Sequence, residues 1–194
     1  MRLWTTMPKS VYDKTLAKSG VYACDANKCD MLLLSDDSYK KASFKKAYLW
    51  MADEMRVKIG PAPRGIQYPV WAWFRLRGKE AKPDLRWREF QNAPVPMVLL
   101  ELEIEENRVV LSNERQWKHA LLNDTACCNT QEEFDWYYDS DHADAKEKEA
   151  FKVQSWRRIF DTQSAPNVQA VFWEIRTDNV KRVWEYNKSK TEQN

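Results

Sequence analysis

The segment Tyr68–Arg75 brings together the two side-chain types that hold a flat, negatively charged ligand. It reads Tyr-Pro-Val-Trp-Ala-Trp-Phe-Arg, in a chain with ten tryptophans among 194 residues. An indole is a large rigid surface with one N–H donor, which suits stacking against a planar ring. A guanidinium binds phosphate or carboxylate through paired hydrogen bonds. The segment therefore predicts a binding cleft with aromatic walls, although residue types alone do not name the ligand.

The arginines in and after this segment have two interpretations. They are Arg75, Arg77, Arg86 and Arg88. In the first interpretation they hold an anionic ligand such as a pyrophosphate, sandwiched by tryptophan. In the second, which is slightly favoured, they belong to a surface loop of salt bridges in which Asp84 pairs with Arg86.

A late apolar strand, Val168–Ile175, carries two polar residues that could take part in a reaction. They are Gln169 and Glu174. Strict alternation along a strand places these two side chains on opposite faces, so that one cleft would contain at most one of them. Glu174 is either an edge carboxylate in water or a functional group in a pocket. The sequence leaves both interpretations open.

The sequence contains no motif for several common kinds of catalytic or metal-binding site. Four glycines are too few and too scattered for a phosphate-binding glycine loop, and the two histidines, His119 and His142, fit no hydrolase motif. We expect both histidines to be surface or structural residues. The cysteines at 24, 29, 127 and 128 lack the usual metal-binding spacing, so reduced structural thiols and no metal are favoured over a zinc site that would include His119 or His142.

Charge and hydropathy predict a cytoplasmic protein with no membrane partner. Lys and Arg number 31 and Asp and Glu 29, a net charge of +2 that gives no overall electrostatic footprint for nucleic acid. No apolar run reaches the roughly 20 residues that span a bilayer. The N-terminal residues lack the features of a signal peptide.

The hydrophobic periodicity predicts one α+β domain over residues 1–194, with a mixed, mostly antiparallel sheet and flanking helices. Expected strands are 2–6, 21–24, 68–76, 97–104, 108–111 (as the hairpin partner of 97–104), 168–175 and 180–186. Expected helices are 8–18 closed by Gly20, a long one ending near Lys58 and capped by Asp36 or Asp37, one from Asn113 to about Leu122, one after Thr130 and one near 151–160. Residues 124–150 are acidic and polar, and predict a helical or mobile insertion.

The chain resembles a bacterial family known as domain of unknown function 3841. The resemblance covers nearly the entire chain. Its carriers are Arg2–Thr5, Tyr68–Phe74, Lys82–Arg86, Val110–Ser112, Trp117, Leu122–Asn123, Ser155–Asp161 and Gln169–Glu174. Where the family has Trp-His, this chain has Trp117-Lys118, with His119 one place later. The resemblance implies a fold and a length and brings no agreed activity.

A second, remoter resemblance is to the ADP-ribosyltransferase superfamily. Those enzymes have an opening strand, then a helix closing on glycine, then a central aromatic strand and a late Gln-x-Glu strand. Similar features follow in the same order here, at Leu3–Thr6, Gly20, Tyr68–Phe74 and Gln169-Ala170. That resemblance implies an ADP-ribosyltransferase-like fold and NAD as substrate. Val171 stands where such enzymes place the catalytic glutamate, which stabilises the developing oxocarbenium ion.

The first functional hypothesis is therefore an ADP-ribosyltransferase-like domain that binds NAD or a related nucleotide, with transfer or hydrolysis of ADP-ribose left open. In it the base or nicotinamide stacks on Tyr68, Trp71 or Trp73. Arg2 or Thr5 holds the ribose or the edge of the adenine, Arg75 or Arg86 the pyrophosphate, and Gln169 or Glu174 acts at the acceptor end.

The alternative is a non-enzymatic binding or inhibitor protein with a protein target, acting between bacteria and their phages or plasmids. Exposed Trp and Arg are the residue types that dominate protein–protein hot spots. A nucleic-acid binder is the weakest hypothesis, and it predicts affinity that falls steeply with salt.

Overall fold

The computed structural model describes residues 1–25, 38–123, 125–139 and 144–187. Its strands are β1 (Arg2–Pro8), β2 (Val21–Ala23), β3 (Val70–Arg75), β4 (Met97–Glu103), β5 (Val110–Asn113), β6 (Val168–Phe172), β7 (Glu174–Arg176) and β8 (Val180–Tyr186). Its α-helices are α1 (Lys9–Lys14), α2 (Leu16–Ser19), α3 (Ser38–Ile59), α4 (Arg88–Gln91), α5 (Glu114–Leu122), α6 (Gln131–Tyr138) and α7 (Ala145–Ser155). Three 3-10 helices cover Glu106–Arg108, Trp156–Phe160 and Thr177–Asn179.

Six strands form one antiparallel sheet in the order β5-β6-β3-β1-β4-β8, while β2 and β7 form a separate pair. Helices flank the sheet, so the predicted α+β class with a mostly antiparallel sheet is confirmed. The aromatic strand β3 lies beside the glutamine-bearing strand β6, with Trp73 opposite Gln169.

The predicted hairpin between β4 and the next strand is wrong. β4 pairs with β1 on one side and with β8 on the other, so neither of its edges is free for β5. A 3-10 turn at Glu106–Arg108 leads the chain away, and β5 pairs with β6 at the far edge of the sheet.

The late strand, predicted as one element from 168 to 175, breaks at Trp173. β6 belongs to the large sheet, whereas β7 pairs with β2 in the small one. The Trp173 indole N–H donates to the Gly60 carbonyl at 3.2 Å, which holds the chain at this break. The strict alternation that assigned Glu174 to a face of the same strand therefore does not extend across it.

The helix termini follow the local sequence signals closely. The first predicted helix forms as two short pieces, α1 and α2, which end on Gly20 in the left-handed conformation with φ 78°. Asn113 and Thr130 cap α5 and α6 by accepting backbone N–H bonds. The proposed caps of α3, Asp36 and Asp37, lie outside the described residues.

The sheet buries apolar side chains on both faces. One face packs against α3, α5 and the 3-10 helix at 156–160, with Met51, Met55 and Trp156 in the core, and it extends to a smaller cluster around Phe90 and Tyr186. The other face packs Leu3, Leu100 and Phe172 against Leu16 of α2. Within the described residues, none of the helices combines the length and apolar character needed to cross a membrane.

Candidate functional site

A cleft opens in the plane of the sheet where β1 separates from β3. The two strands are in register only at Trp4 opposite Trp73, although β1 pairs with β4 along its whole length. The resulting hollow has a volume of about 130 Å³, and we call it the β1–β3 cleft. Its lining includes Thr5, Tyr22, Cys24, Tyr48, Pro69 and Trp71.

Two residues keep β1 and β3 from pairing along the cleft. Pro69, just before β3, has no N–H to donate, and so it cannot continue a strand pairing. The Thr5 hydroxyl donates to the Trp71 carbonyl at 2.7 Å, which satisfies a backbone acceptor at the point where the strands diverge. A side chain thus replaces the missing ladder bond and holds the cleft open.

The aromatic wall of the cleft is held by ring–ring contacts. Tyr48 of α3 packs edge-on against Tyr68 and Trp71, with centroids 5.9 and 5.8 Å apart. Trp71 in turn lies 4.8 Å from Trp117 of α5. Because these geometries are favourable and mutually supporting, the indole face is preorganised. The lining residues carry hydroxyls and a thiol but no charged side chain.

A row of polar side chains crosses the sheet behind this wall. Trp4, Trp73, Gln169 and Ser112 lie directly opposite one another on four adjacent strands, and they share one face. Ser112 Oγ, Gln169 Oε1 and the indole nitrogens of Trp4 and Trp71 are buried and have no hydrogen-bond partner among the described residues. Each unmade bond costs about 1–3 kcal/mol, so this face has unused capacity to bind a polar atom.

The arginines predicted to hold a pyrophosphate are already engaged within the protein. Arg75 donates to Glu80 at 3.0 and 2.7 Å and to the carbonyls of Thr162 and Ala165. Arg2 pairs with Glu101 at 3.3 Å and remains mostly exposed.

Arg86 is also paired, through a fork onto the neighbouring Asp84. The hydrogen bonds from Arg86 lower the pKa of Asp84 to about 2. These contacts match the second interpretation of the arginine cluster, a surface loop of salt bridges.

The two polar residues of the late strand do not come together. Gln169 lies within the large sheet beside Trp73, whereas Glu174 begins the small sheet. Glu174 lines a second hollow of about 160 Å³, together with Trp173 and Arg108. There it pairs with Arg176 at 3.3 Å.

The remaining aromatic candidates take separate positions. Tyr68 is buried and forms a β-bridge with Cys24 at the end of the β1–β3 cleft. Trp73 is half-buried and lines a third hollow on the same face as Trp4.

Cys127 and the described histidine take structural positions. Burial raises the pKa of the Cys127 thiol to about 11. His119 Nδ1 forms a hydrogen bond with Thr125 Oγ1. His142 and Cys29 lie outside the described residues, and within the described ranges no group of three or more His, Cys, Asp and Glu side chains could hold a metal ion.

The sequence interpretation missed Tyr22, Cys24, Tyr48 and Ser112 as site residues. Tyr48 carried a signal, since it stands in the apolar stripe of α3 with a hydroxyl that a pure core position does not require. Ser112 carried one as well, as a hydroxyl between apolar residues of a short strand. Tyr22 and Cys24 gave no signal, because their approach to β3 depends on the β2–β7 pair.

A family model described as "Domain of unknown function (DUF3841)" matches residues 2–181 of the chain. The chain belongs to this family. The match runs from β1 into β8, and so it includes every strand that borders the β1–β3 cleft. Comparison of this DUF3841 member with curated proteins and with solved structures gave no significant match.

Proposed function

We propose that this protein binds a nucleotide, NAD or a relative, with a planar ring in the β1–β3 cleft. The observation that carries the proposal is the cleft itself, an uncharged opening between two strands with a fixed indole on its wall. Thr5 and Trp71, two of the residues expected to contact the ligand, both line it.

The size of the cleft limits which part of the ligand it takes. Pockets that enclose a drug-sized ligand have volumes of about 300–1,000 Å³. At about 130 Å³ the β1–β3 cleft accommodates one ring, such as nicotinamide or a nucleobase, and the sugar and phosphates would lie outside. Stacking on Trp71 and hydrogen bonds from the hydroxyls of the lining would then set the affinity.

Binding has more support than catalysis within this proposal. Val171 stands where ADP-ribosyltransferases have the glutamate that stabilises an oxocarbenium ion, so this chain has no carboxylate at that position. The Val171 side chain is also fully buried in the core. Gln169 lies two residues before Val171 on the same face of β6, and its amide oxygen has no hydrogen-bond partner within the described structure. Transfer or hydrolysis of ADP-ribose would have to rely on such neutral groups.

Isothermal titration with NAD and with ADP-ribose tests the proposal. We expect saturable heat with at least one of them, and a loss of about three- to tenfold in affinity for Trp71→Phe, which reduces the stacking surface. Trp184→Phe is the matched control, because Trp184 lies on the edge strand β8 and should leave the affinity unchanged. The absence of heat with both ligands would refute the proposal.

A protein target remains a second candidate, because α6 exposes aromatic rings. Phe134 and Tyr138 are 45% and 40% exposed, and their ring centroids lie 4.5 Å apart. Adjacent exposed rings of this kind are typical of binding hot spots. A specific partner lost in a Phe134→Ser/Tyr138→Ser variant, and bound equally with or without NAD, would favour this candidate.

A further inference from the structure

We propose that the third hollow of the protein binds an organic cation, a quaternary or methylated ammonium group. This hollow is lined by Thr6, Trp73, Glu89, Phe90, Met97 and Tyr186, and we call it the aromatic cage. Its volume of about 270 Å³ makes it roomier than the two hollows described above.

The cage is built where three elements meet on one face of the sheet. Trp73 comes from β3 and Tyr186 from β8, while Phe90 of α4 packs over them. Phe90 meets the Tyr186 ring edge-on, with centroids 6.4 Å apart. Asn187 Nδ2 donates to the Phe90 carbonyl at 2.7 Å, which ties α4 to the end of the sheet. The rings are therefore held in place before any ligand binds.

The charge of the lining favours a cation. Glu89 is the single charged residue of the lining, and its side chain is 48% exposed. Aromatic faces attract positive charge through their quadrupole, most strongly for tryptophan. Three rings and one carboxylate around a common space are the arrangement with which proteins hold quaternary ammonium groups.

The hydrogen-bonding groups of the cage favour a cation without N–H donors. One carboxylate oxygen of Glu89 already accepts from Arg77 at 2.9 Å. The Tyr186 hydroxyl is hydrogen-bonded to Thr6, which lines the same space. A methylated ammonium needs only the ring faces and the field of the carboxylate, whereas a primary ammonium has three N–H donors and would replace only part of its hydrogen bonds to water.

The other two hollows differ from the aromatic cage in the charge of their linings. The β1–β3 cleft has no charged residue in its lining, and the hollow beside Glu174 also contains the guanidinium of Arg108. Arg108 has no ion-pair partner among the described residues, and its charge would repel a cation there. The lining of the aromatic cage thus combines three rings with one carboxylate and no cationic side chain, and Arg77 pairs with that carboxylate from outside the lining.

Ligand-observed NMR titration with choline tests the proposal, with 3,3-dimethylbutan-1-ol as the uncharged molecule of the same shape. We expect choline to bind about tenfold more tightly than the alcohol, because the two differ in charge alone. Tetramethylammonium should compete with choline. Equal binding of choline and the alcohol would overturn the proposal, as would no binding of choline up to about 50 mM, where a millimolar site is filled.

Variants separate the cage from a general effect on the fold. Trp73→Phe should weaken choline binding several-fold, and Trp73→Leu should abolish it. Glu89→Gln should weaken choline binding, and the affinity that remains should depend less on salt concentration. Glu80→Gln is the matched control, because Glu80 is equally exposed, at 47%, and also pairs with an arginine. Unchanged choline affinity in both Trp73→Leu and Glu89→Gln, with thermal unfolding like that of the wild type, would refute the site.

The proposal stands apart from the nucleotide proposal. The lining of the two sites shares one residue, Thr6, and Glu89→Gln leaves the β1–β3 cleft intact. If the protein binds choline but not NAD, the cage proposal stands and the nucleotide proposal fails.

Discussion

Ser112 and Ser155 are both buried serines, and they differ in what their hydroxyls contact. Ser155 Oγ accepts from the Cys127 N–H at 2.9 Å and donates to the Lys152 carbonyl at 2.7 Å. Ser112 Oγ, fully buried on β5, has no partner among the described residues. The same residue type therefore stabilises the fold at one position and leaves hydrogen-bonding capacity unused at the other.

This contrast predicts opposite responses to alanine. Ser155→Ala should lower the free energy of unfolding by about 1–3 kcal/mol, because it leaves the Cys127 N–H buried and unpaired. Ser112→Ala should raise it, or change it by less than about 1 kcal/mol. Urea denaturation of the two variants checks the prediction. A loss for Ser112→Ala as large as that for Ser155→Ala would mean that the Ser112 hydroxyl is paired after all.

The reactivity of the individual cysteine thiols should follow their burial. Burial raises the pKa of Cys127 to about 11, so little thiolate is present near pH 8. Cys24 is partly exposed and lines the β1–β3 cleft. We therefore expect iodoacetamide to modify Cys24 much faster than Cys127, as measured by peptide mapping. Comparable rates would contradict the packing around Cys127.

At the scale of elements, one ion pair joins α6 to the 3-10 helix at 156–160. Arg158 contacts both carboxylate oxygens of Glu133 at 2.6 Å, and it also donates to the Cys127 carbonyl. Asn129 adds a backbone N–H to the same carboxylate at 2.8 Å. The hydrogen bonds from Arg158 are the largest cause of a pKa of about 2 for Glu133.

The depressed pKa gives a signed prediction for acid unfolding. A folded-state pKa of about 2 lies below the unfolded value of about 4.3, so the contribution of Glu133 to stability is complete above about pH 5. It is lost as the pH falls from about 5 towards 2. Glu133→Gln should therefore flatten the loss of stability in that range, as measured by thermal unfolding from pH 7 to pH 2.

Glu147→Gln is the control, since Glu147 lies in the first turn of α7 and forms no ion pair with any described residue. An equal flattening in both variants would contradict the role assigned to the Glu133–Arg158 pair.

Local signals in the sequence predicted the elements better than their pairing. Gly20, Asn113 and Thr130 each mark a helix terminus through their own backbone or side chain, and the structure confirms all three. The β4–β5 hairpin failed because β1 and β8, distant in sequence, occupy both edges of β4. The break at Trp173 depends on its bond to Gly60, which no alternation pattern contains.

At the scale of the whole molecule, the candidate site also depends on contacts between segments distant in sequence, which local sequence signals do not predict. The aromatic content of β3 could be predicted from residue types, whereas its place beside the glutamine-bearing strand is given by the fold. The cleft could not, because it exists only where β1 leaves β3 to follow β4. The arginines looked suited to a phosphate in the sequence, yet in the fold Arg75 and Arg86 pair with Glu80 and Asp84.

The protein therefore has two candidate binding spaces whose linings share Thr6 of β1. One is an uncharged cleft proposed for a planar ring, and the other is an aromatic cage with one carboxylate, proposed for an organic cation. Trp71 and Trp73, two residues apart on β3, belong to different spaces because β1 remains in register with β3 at Trp73 and departs from it before Trp71.

Protection of Cys24 from iodoacetamide by NAD tests the central proposal most directly, because the thiol lines the β1–β3 cleft. At a ligand concentration about ten times the Kd, the rate at Cys24 should fall about tenfold, since only unliganded protein reacts. The rate at Cys128, outside the lining of the cleft, should remain unchanged in the same digest. An unaltered rate at Cys24 with saturating NAD and with saturating ADP-ribose would contradict binding of a nucleotide ring in this cleft.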